Sequence, residues 1–259
     1  MPRDARQESQ VNLTVMSDYQ HRVYARYSEV RPHYPVPTNR TELLSGADVI
    51  FRKFLVPLLP ARKDAKILDI GCGYGHFVHF LQSRGYSAAM GIDLVRQQVE
   101  VGQRLGVLNL RHGDAREFLR ESISQFDFIS AIEVLEHIPK QDVLGFLDLI
   151  HSALRPGGRL VCKVPNLGAF YSPTFFMDFS HETPFTGPSL KMVFELANFA
   201  NVRVSPIGPV AHGMKSVVRL VLWKMISGGL RFVQIVEGGP GDRLRTLFTS
   251  SILASGDKS

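Results

Sequence analysis

The sequence has little of several features that would each indicate a particular class of protein. It contains only two cysteines, Cys72 and Cys162, and both stand in apolar surroundings. We therefore expect two buried free thiols in a reducing compartment, and neither a disulfide nor a metal pair. The first residues, MPRDARQESQVN, include no apolar stretch of the secretory type, so we expect a cytoplasmic protein.

Internal repeats, low-complexity blocks and clustered runs of Lys and Arg are also missing. The 30 basic residues exceed the 24 acidic ones and leave a formal net charge of +6, but they are scattered along the chain. Nucleic acid is therefore not an expected partner, whereas contact with phospholipids or phosphorylated substrates stays open. The hydrophobic content of 44% predicts a folded domain with a core of ordinary size.

What is present is a regular alternation of short apolar runs and amphipathic stretches from residue 66 onward. The runs KILDI, AAMGID, VLNLRHG, FDFISAI and RLVCKVP are predicted strands, and VRVSPI and LFTSSILAS would be a sixth and a seventh. The alternation predicts an α/β fold with a Rossmann-like, mostly parallel seven-stranded sheet and helices on both faces. We expect an N-terminal helical or lid segment over residues 1–60, with a helix over 47–59, and one domain over 61–259.

An apolar insert, at about residues 210–245, separates the last two predicted strands. Its segment VVRLVLWKMISGGLRFVQIV, residues 217–236, is long enough to cross a bilayer, but three basic residues and a Gly pair argue against a span. As a helix it would place its polar side chains within roughly 140° and leave a wide apolar face. Two interpretations stay open: packing on the domain or in a homodimer, and peripheral contact with the inner face of a membrane. The polar side chains are those of Arg219, Lys224, Ser227, Arg231 and Gln234.

The strongest local pattern is ILDIGCGYGHF, residues 67–77, in which a predicted strand runs into a glycine-rich turn. Glycines at positions 71, 73 and 75 would allow a sharp turn and let a ligand approach the backbone at the carboxyl end of the strand. The spacing G-x-G-x-G differs from the G-x-G-x-x-G of dinucleotide-binding proteins. Asp69, directly before the turn, disfavours a pyrophosphate and suits a ligand that carries a cationic amino group.

Acidic residues follow the ends of the next predicted strands. Asp93 ends the second strand, where a carboxylate can accept hydrogen bonds from both hydroxyls of a ribose. Asp114 follows the third strand, where an adenine amino group would lie, and Glu133 follows the fourth. Because the carboxyl ends of parallel strands share one edge of a sheet, these groups would face a single crevice.

Together these motifs resemble those of class I S-adenosylmethionine-dependent methyltransferases. The resemblance is strongest over residues 66–166 and rests on LDIGCGYG, GIDL, GDA, EVLEHIP and LRPGGRLVCKVPN. It implies S-adenosylmethionine as the cofactor and S-adenosylhomocysteine as the product. The residues that it implies for binding are Asp69, Gly71, Cys72, Gly73, Tyr74 and Gly75 for the methionine moiety, Asp93 and Leu94 for the ribose and adenine, Asp114 and Ala115 for the adenine, and Glu133 near the sulfonium.

Transfer of a methyl group to a hydroxyl also requires a base that takes the hydroxyl proton. Two histidines fall on the same edge of the predicted sheet: His137 after the fourth strand, and His181 in DFSHETPFT after the fifth. Histidine suits the role because its unperturbed pKa is about 6.5. Residues 164–199 are similar to the stretch after the fifth strand in bacterial glycan-associated methyltransferases, which implies a sugar or glycan hydroxyl as the acceptor. We therefore predict sugar O-methylation, with His181 and His137 as the catalytic candidates.

Each histidine also has a structural interpretation. His137 would shape its own loop, and His181 would cap a loop together with Ser180 and Thr183. A quinone or a phenol could replace the sugar as the acceptor, and an apolar pocket is the feature that would favour it. The chain could also be a non-catalytic binding protein with the same fold, and an RNA methyltransferase would rest on the net charge alone.

Two further hypotheses concern the surroundings of the crevice. Tyr24, Tyr27 and Tyr34 could close over it as a lid. We assign no metal, although a divalent ion could be held by an acidic residue of the segment 178–182 together with the two histidines. The ligands considered for that ion are Asp178, His181 or Glu182 with His137.

Overall fold

The chain begins with short helices and then enters a sheet. The computed structural model describes residues 18–30, 36–44, 47–170, 173–239, 241 and 243–259. Tyr34, one of the three tyrosines of the lid hypothesis, lies outside the described residues. The helix predicted over 47–59 is confirmed, because an α-helix that starts at residue 47 continues through a π-helical turn and a 3₁₀ turn to residue 58. The first four helices are α1 (Asp18–Ala25), α2 (Tyr27–Val30), α3 (Arg40–Leu44) and α4 (Ala47–Ile50).

Seven strands form one sheet, as the sequence predicts. They are β1 (Ile67–Ile70), β2 (Ala89–Asp93), β3 (Leu110–His112), β4 (Phe126–Ile132), β5 (Leu154–Pro165), β6 (Ala200–Ile207) and β7 (Ser251–Asp257). The order across the sheet is β3-β2-β1-β4-β5-β7-β6. β7 is antiparallel to β5 and β6, and the other neighbours pair in parallel. The carboxyl ends of β1 to β5 therefore meet at one edge, where the predicted site residues lie.

The remaining helices connect or follow the strands. The helix that begins at Gly187 is capped by Thr186 and Ser189, which form a reciprocal capping box. Short 3₁₀ turns at Leu135–His137 and Lys140–Asp142 lie between β4 and α8. The helices are α5 (His76–Gln82), α6 (Arg96–Arg104), α7 (Ala115–Arg120), α8 (Val143–Ala153), α9 (Pro173–Phe176), α10 (Gly187–Leu196) and α11 (Met214–Gly238).

Apolar side chains cover both faces of the sheet, which explains why its strands are nearly continuous apolar runs in the sequence. Successive residues of β1 alternate between the faces. Leu68 and Ile70 pack with α8 and α10, whereas Ile67 packs with the segment after α4 and with α5. Cys72 and Cys162 are buried free thiols, as the apolar surroundings predict.

The third and the seventh strands begin later than the sequence predicts. Asn109 has a φ of 58°, a left-handed conformation that interrupts the extended backbone, so β3 starts after it. At the other end of the chain, the side-chain amide of Asn166 donates to the carbonyl oxygens of Leu247 and Thr249 at 2.6 and 2.9 Å. These bonds anchor residues 247–249 to the end of β5, and β7 starts at Ser251.

The apolar insert forms the long helix α11. None of its 25 residues, all of which the structure describes, is buried. Among the described helices, none combines the length and the apolar character that a membrane span requires.

Candidate active site

The glycine-rich turn after β1 has the conformation that its sequence predicts. Gly71, Gly73 and Gly75 have φ values of 67°, 54° and 81°, all in the left-handed region that favours glycine. A side chain at Gly71 would place its Cβ 2.5 Å from Cγ2 of Val134, so the loop after β4 packs directly on the turn. The N–H of Gly71 donates to the carbonyl oxygen of Ile92 at 2.9 Å, which ties the turn to the end of β2.

The two non-glycine residues of the turn point into the protein. Cys72 and Tyr74 are buried and pack with Val78 and Val99. Burial raises the pKa of the Cys72 thiol well above its ordinary value, so the sulfur stays protonated. Any contact of these two residues with a ligand in the crevice would therefore come from their backbone.

Asp93 ends β2 and holds the glycine turn. Its carboxylate accepts hydrogen bonds from the N–H groups of Gly73 and Val95, both at 2.7 Å. Burial raises the pKa of this carboxyl group, while the two backbone donors act in the opposite direction. Each carboxylate oxygen has a second lone pair, so the inferred contact with ribose hydroxyls is compatible with these bonds and stays a prediction.

Asp69 lies inside the sheet beside β4. β1 and β4 pair so that Asp69 stands opposite Ser130, whose hydroxyl donates to Oδ1 of Asp69 at 2.7 Å. Burial raises the pKa of Asp69 from 3.8 to about 7, and the serine hydroxyl works against this rise. A cationic amino group bound at the turn would favour the ionised form. The sequence alone did not reveal Ser130, because its place follows from the strand register.

A cavity of about 460 Å³ lies beside the ends of β2 and β3. Leu94, which the resemblance places beside the adenine, lines it together with His112. On the other side α1 contributes His21, Tyr24 and Ala25. Burial and the nearby carboxylate of Asp178 raise the pKa of Tyr24, so the phenol stays protonated. α1 thus forms a wall of the crevice, as the lid hypothesis expects for Tyr24.

Asp114 and Ala115 lie where α7 begins. The carboxylate of Asp114 accepts a hydrogen bond from the N–H of Arg116 at 2.8 Å and pairs with the guanidinium of Arg116 at 2.6 Å. Its oxygens are therefore engaged in capping α7 and in an ion pair. Ala115 is half-buried beside it and can offer backbone and apolar surface to a ring. The adenine contact of this pair stays a prediction.

Glu133 has a strained backbone at the end of β4. Its φ of 57° lies in the left-handed region, which side chains other than glycine seldom adopt. Its N–H donates to the carbonyl oxygen of Lys163 at 2.8 Å, and its carboxylate forms an ion pair with Nζ of the same lysine. Burial lowers the pKa of Lys163 to about 8. Strain of this kind concentrates at functional sites, which fits the inferred place of Glu133 near the sulfonium.

Lys163 is absent from the residues predicted for the site. The signal was visible, because Lys163 is the one charged residue in the apolar run LVCKVP of β5. Lys163 of β5 stands opposite Ile132, the last residue of β4. Its side chain is therefore next to Glu133, which directly follows β4.

The two candidate catalytic histidines come together, with ring centroids 4.7 Å apart. Nδ1 of His137 lies 3.2 Å from the carbonyl oxygen of Ser180, and Nδ1 of His181 lies 2.7 Å from the carbonyl oxygen of Phe175. Because a carbonyl oxygen only accepts, the bond to Phe175 assigns the hydrogen of His181 to Nδ1 and the lone pair of the neutral ring to Nε2. Nδ1 of His137 also lies 3.0 Å from the hydroxyl of Ser180, and since that hydroxyl donates to Asp178, the hydrogen of His137 is assigned to Nδ1 as well. His137 and His181 thus belong to one site.

The fully buried Glu136 joins the two histidines. The nitrogen and oxygen atoms with which these three residues could bind a metal all lie within 4.8 Å of one another. Two imidazoles and a carboxylate at this spacing could hold a divalent ion. The Nδ1–H bonds to carbonyl oxygens also fit, because a metal-binding histidine usually donates its other nitrogen to such a group.

The carboxylates that the sequence suggested as metal ligands have other partners. Asp178 accepts a hydrogen bond from the hydroxyl of Tyr27 at 3.2 Å, and Glu182 accepts one from the amide of Gln20 at 3.5 Å. Glu136 lies with the histidines in their place, because the loop after β4 passes directly under the segment 178–182. The N–H of Glu182 donates to the carbonyl oxygen of Glu136 at 2.7 Å.

The other polar groups of DFSHETPFT, residues 178–186, also bond to the protein. The hydroxyl of Ser180 donates to Oδ1 of Asp178 at 2.5 Å, a bond between side chains that differs from the side-chain to backbone bond of the capping interpretation. The hydroxyl of Thr183 donates to the carbonyl oxygen of Ile138 at 2.7 Å, a partner that local capping does not include.

Apolar side chains surround this polar segment. Phe175 packs against the ring of His181, with centroids 5.3 Å apart. Phe176, Met177 and Phe179 are exposed to 76%, 64% and 85%. An aromatic side chain therefore packs on His181, and the neighbouring residues 176, 177 and 179 expose apolar surface.

The helices α1 and α2 contact His137 and the segment that contains Asp178 and Phe179. The ring of Tyr27 meets that of His137 edge to face, with centroids 6.4 Å apart, and the ring of Tyr19 meets that of Phe179 with centroids 6.1 Å apart. Together with the hydrogen bond from Tyr27 to Asp178, these contacts join the N-terminal helices to His137 and to residues 178–179. Tyr24 and Tyr27 thus lie beside the crevice and the two histidines, and closure of this segment as a lid stays a prediction.

Comparison with protein families identifies the domain. Residues 45–204 match the model of a family described as "Methyltransferase domain". The matched range covers more than half of the 259-residue chain and includes β1 to β5 and both histidines.

Two relatives act in quinone biosynthesis by their names. A ubiquinone biosynthesis O-methyltransferase from Xylella fastidiosa (strain M23) is 34% identical over 113 residues, which is 41% of this chain and 45% of the relative. A demethylmenaquinone methyltransferase from Staphylococcus aureus (strain MRSA252) is 31% identical over 186 residues, which is 60% of this chain and 76% of the relative. The chain thus spans less than half the length of the first relative.

Solved structures share the architecture. A SAM-dependent methyltransferase from Archaeoglobus fulgidus superposes with a TM-score of 0.59 at 19% identity, covering 80% of this chain and 91% of the other. A methyltransferase from Mesorhizobium loti gives 0.56 at 18% identity, with coverages of 83% and 99%. These likenesses establish the fold, and the family match establishes the relationship. The chain therefore belongs to the methyltransferase domain family and has the class I fold of S-adenosylmethionine-dependent methyltransferases.

Proposed function

We propose that the protein transfers a methyl group from S-adenosylmethionine to a hydroxyl group of a quinone-type or phenolic acceptor. The observation that carries the proposal is the pair of His137 and His181, held together on the carboxyl edge of the sheet. His137 belongs to the loop that packs on the glycine turn through Val134, so the two imidazoles lie beside the inferred cofactor crevice.

The crevice suits S-adenosylmethionine in three respects. Its glycine turn allows close approach of a ligand to the backbone, and Asp69 offers a carboxyl group for a cationic amino group. The cavity beside Leu94 and His112 has room for a nucleoside. When bound, S-adenosylmethionine supplies a methyl group on a positively charged sulfur that is already a good leaving group.

For the acceptor, the structure supports a quinone or a phenol better than the sugar that the sequence predicts. The sugar prediction rested on the similarity of residues 164–199 to glycan-associated methyltransferases, and the polar groups of residues 178–186 could have bonded to sugar hydroxyls. In the structure Asp178, Ser180 and Thr183 bond to the protein, and the exposed side chains beside them are apolar. A planar aromatic ring fits this surface better than a sugar does. The names of the two relatives support the same choice.

We assign His181 as the base. Its Nδ1–H is held by the carbonyl oxygen of Phe175, so Nε2 is the nitrogen that can take the acceptor proton as the new bond forms. His137 borders it and orients the same region through Ser180. The helices α1 and α2 cover the crevice and restrict water.

A second mechanism for the same reaction uses a metal ion at the cluster of Glu136, His137 and His181. These three residues would hold a divalent ion, which would lower the pKa of an acceptor hydroxyl bound to it. The reaction class and the acceptor are the same in both mechanisms.

A panel of acceptors tests the reaction. Release of S-adenosylhomocysteine is measured with hydroquinones, catechols and nucleotide sugars. We expect the aromatic acceptors to give a kcat/KM at least about tenfold above that of any sugar. A preference for a nucleotide sugar would restore the acceptor that the sequence predicts, and failure to bind S-adenosylmethionine would exclude every methyltransferase mechanism.

Substitution of His181 tests the base. We expect His181→Ala to lower kcat by about 100-fold to 10,000-fold, while the Kd for S-adenosylmethionine changes less than about twofold. His212→Ala, at an exposed histidine after β6, is the matched control. A kcat within about twofold of the wild type would mean that His181 is a structural loop residue. Loss of activity on dialysis against a chelator, with recovery on adding a divalent ion, would favour the metal mechanism.

A further inference from the structure

The helix α11 carries a long apolar face that the proposed reaction does not use. At about 100° per residue, its eleven exposed large apolar side chains fall within roughly 180° of the helix surface. A helix of 25 residues is about 37 Å long, so the face is a continuous strip. The eleven residues are Met214, Val217, Val218, Val221, Leu222, Met225, Ile226, Phe232, Val233, Ile235 and Val236.

The opposite side of α11 is turned towards the domain. Six half-buried residues recur at spacings of three and four, which places them on one stripe. One of them, Trp223, lies against Gly208 after β6, because a Cβ on this glycine would stand 3.7 Å from Nε1 of the indole. The apolar face therefore points away from the domain. The six residues are Ser216, Leu220, Trp223, Ser227, Leu230 and Gln234.

Basic residues border the apolar face on both sides. Lys215 and Arg219 lie at one border and Lys224 and Arg231 at the other, and all four are exposed. Glu237 is the only acidic residue in the sequence of α11. Long basic side chains can lay their methylene groups along apolar surface while the charged ends reach anionic groups. An apolar face with basic borders is typical of helices that lie in the plane of a membrane surface.

We propose that α11 docks the protein on the surface of an anionic phospholipid bilayer. The apolar face would enter the boundary between headgroups and acyl chains, and the four basic residues would meet the phosphates. The helix would lie on the bilayer without crossing it. This inference concerns location and does not depend on which acceptor the enzyme uses.

The charges favour a lipid surface over a second copy of the chain. Two α11 helices placed face to face would bring basic borders towards each other, with Glu237 as the only acidic residue that either helix contributes. Like charges at such an interface repel. An anionic bilayer instead offers a negative group to each of the four basic residues, and the formal net charge of +6 acts in the same direction.

Co-sedimentation with vesicles tests the proposal. The full chain is mixed with vesicles of phosphatidylcholine alone, or of phosphatidylcholine with phosphatidylglycerol, at low and at high salt. The test variant is Met225→Asp/Phe232→Asp, which places two charges on the apolar face. The matched control is Leu108→Asp/Ile123→Asp, which adds the same charges at two exposed apolar positions elsewhere. Far-ultraviolet circular dichroism checks that α11 stays helical. The fluorescence emission of Trp223, the only tryptophan in the sequence, checks that this side chain stays packed against Gly208.

We expect the wild type and the control variant to sediment with the anionic vesicles at low salt and to be released at high salt. The bound fraction of the test variant should fall at least about tenfold. Absence of wild-type binding at low salt, or equal binding of the test variant, would overturn the proposal. A dimer in solution that the test variant dissociates, without vesicle binding by the wild type, would show that a second copy covers the face.

Discussion

At the residue scale, Asp69 combines burial with a predicted place near the cofactor. Its folded pKa of about 7 lies above the ordinary value because the carboxyl group is buried, so the folded state binds the proton more tightly than the unfolded chain. The contribution to stability is therefore complete below about pH 4 and is lost as the pH rises towards 7.

Asp69→Asn removes this titration. We expect the free energy of unfolding of the wild type, relative to that of the variant, to fall by up to about 4 kcal/mol between pH 4 and pH 8. Chemical denaturation at a series of pH values measures the difference. Ser130→Ala removes the hydroxyl that stabilises the ionised carboxylate, so it should move the fall to higher pH. A pH-independent difference between wild type and Asp69→Asn would contradict the assignment.

For other site residues, the sequence predicts the position of the side chain but not its partner. Glu133 and Asp114 stand at the strand ends that the sequence predicts, but their partners, Lys163 and Arg116, were not foreseen. Arg116 is close in sequence and could have been anticipated as a capping partner. Lys163 lies 30 residues from Glu133, and the pairing of β4 with β5 brings them together.

At the scale of the element, α1 forms one wall of the crevice. Ala25 lines the cavity together with Leu94 and His112, and its small side chain leaves the space open. We expect Ala25→Trp to fill part of this space and to weaken S-adenosylmethionine binding at least about tenfold. kcat at saturating cofactor should change little, because the histidines are not touched.

Isothermal titration calorimetry of the variants measures this effect. Arg26→Trp is the matched control, because Arg26 is the next residue and pairs with Glu29 on the surface. It adds the same indole outside the residues that line the cavity. If both variants bind the cofactor as tightly as the wild type, α1 is not a wall of the cofactor site.

At the scale of the whole molecule, stability resides in the apolar cores beside the sheet and not in α11. Phe194 of α10 is fully buried in the larger core, whereas Phe232 of α11 is 67% exposed. We expect Phe194→Ala to lower the free energy of unfolding by about 3–5 kcal/mol. Phe232→Asp should change it by less than about 0.5 kcal/mol. Urea denaturation compares the two, and a large loss in Phe232→Asp would mean that the apolar face of α11 is covered by protein.

The sheet and the cofactor turn were predictable because their signals are local. Apolar runs, glycine positions and strand-end carboxylates follow from backbone sterics and burial within a few residues. The starts of β3 and β7 were not predictable. The start of β3 depends on the left-handed conformation of Asn109, and that of β7 on side-chain bonds of Asn166 across about 80 residues of sequence. The proposed acceptor differs from the predicted one because it depends on which partners the polar groups of residues 178–186 bind.

The sequence by itself determined the class of fold, the glycine turn and the two histidines, since each of these arises from residue types at short spacing. Only the tertiary structure decided which groups share the site. Asp178 meets Tyr27 across 151 residues of sequence, and Glu136 lies beside His137 and His181 because the loop after β4 bonds to the segment 178–182. A side chain's availability depends on partners that the fold brings from a distance, and no local pattern records them.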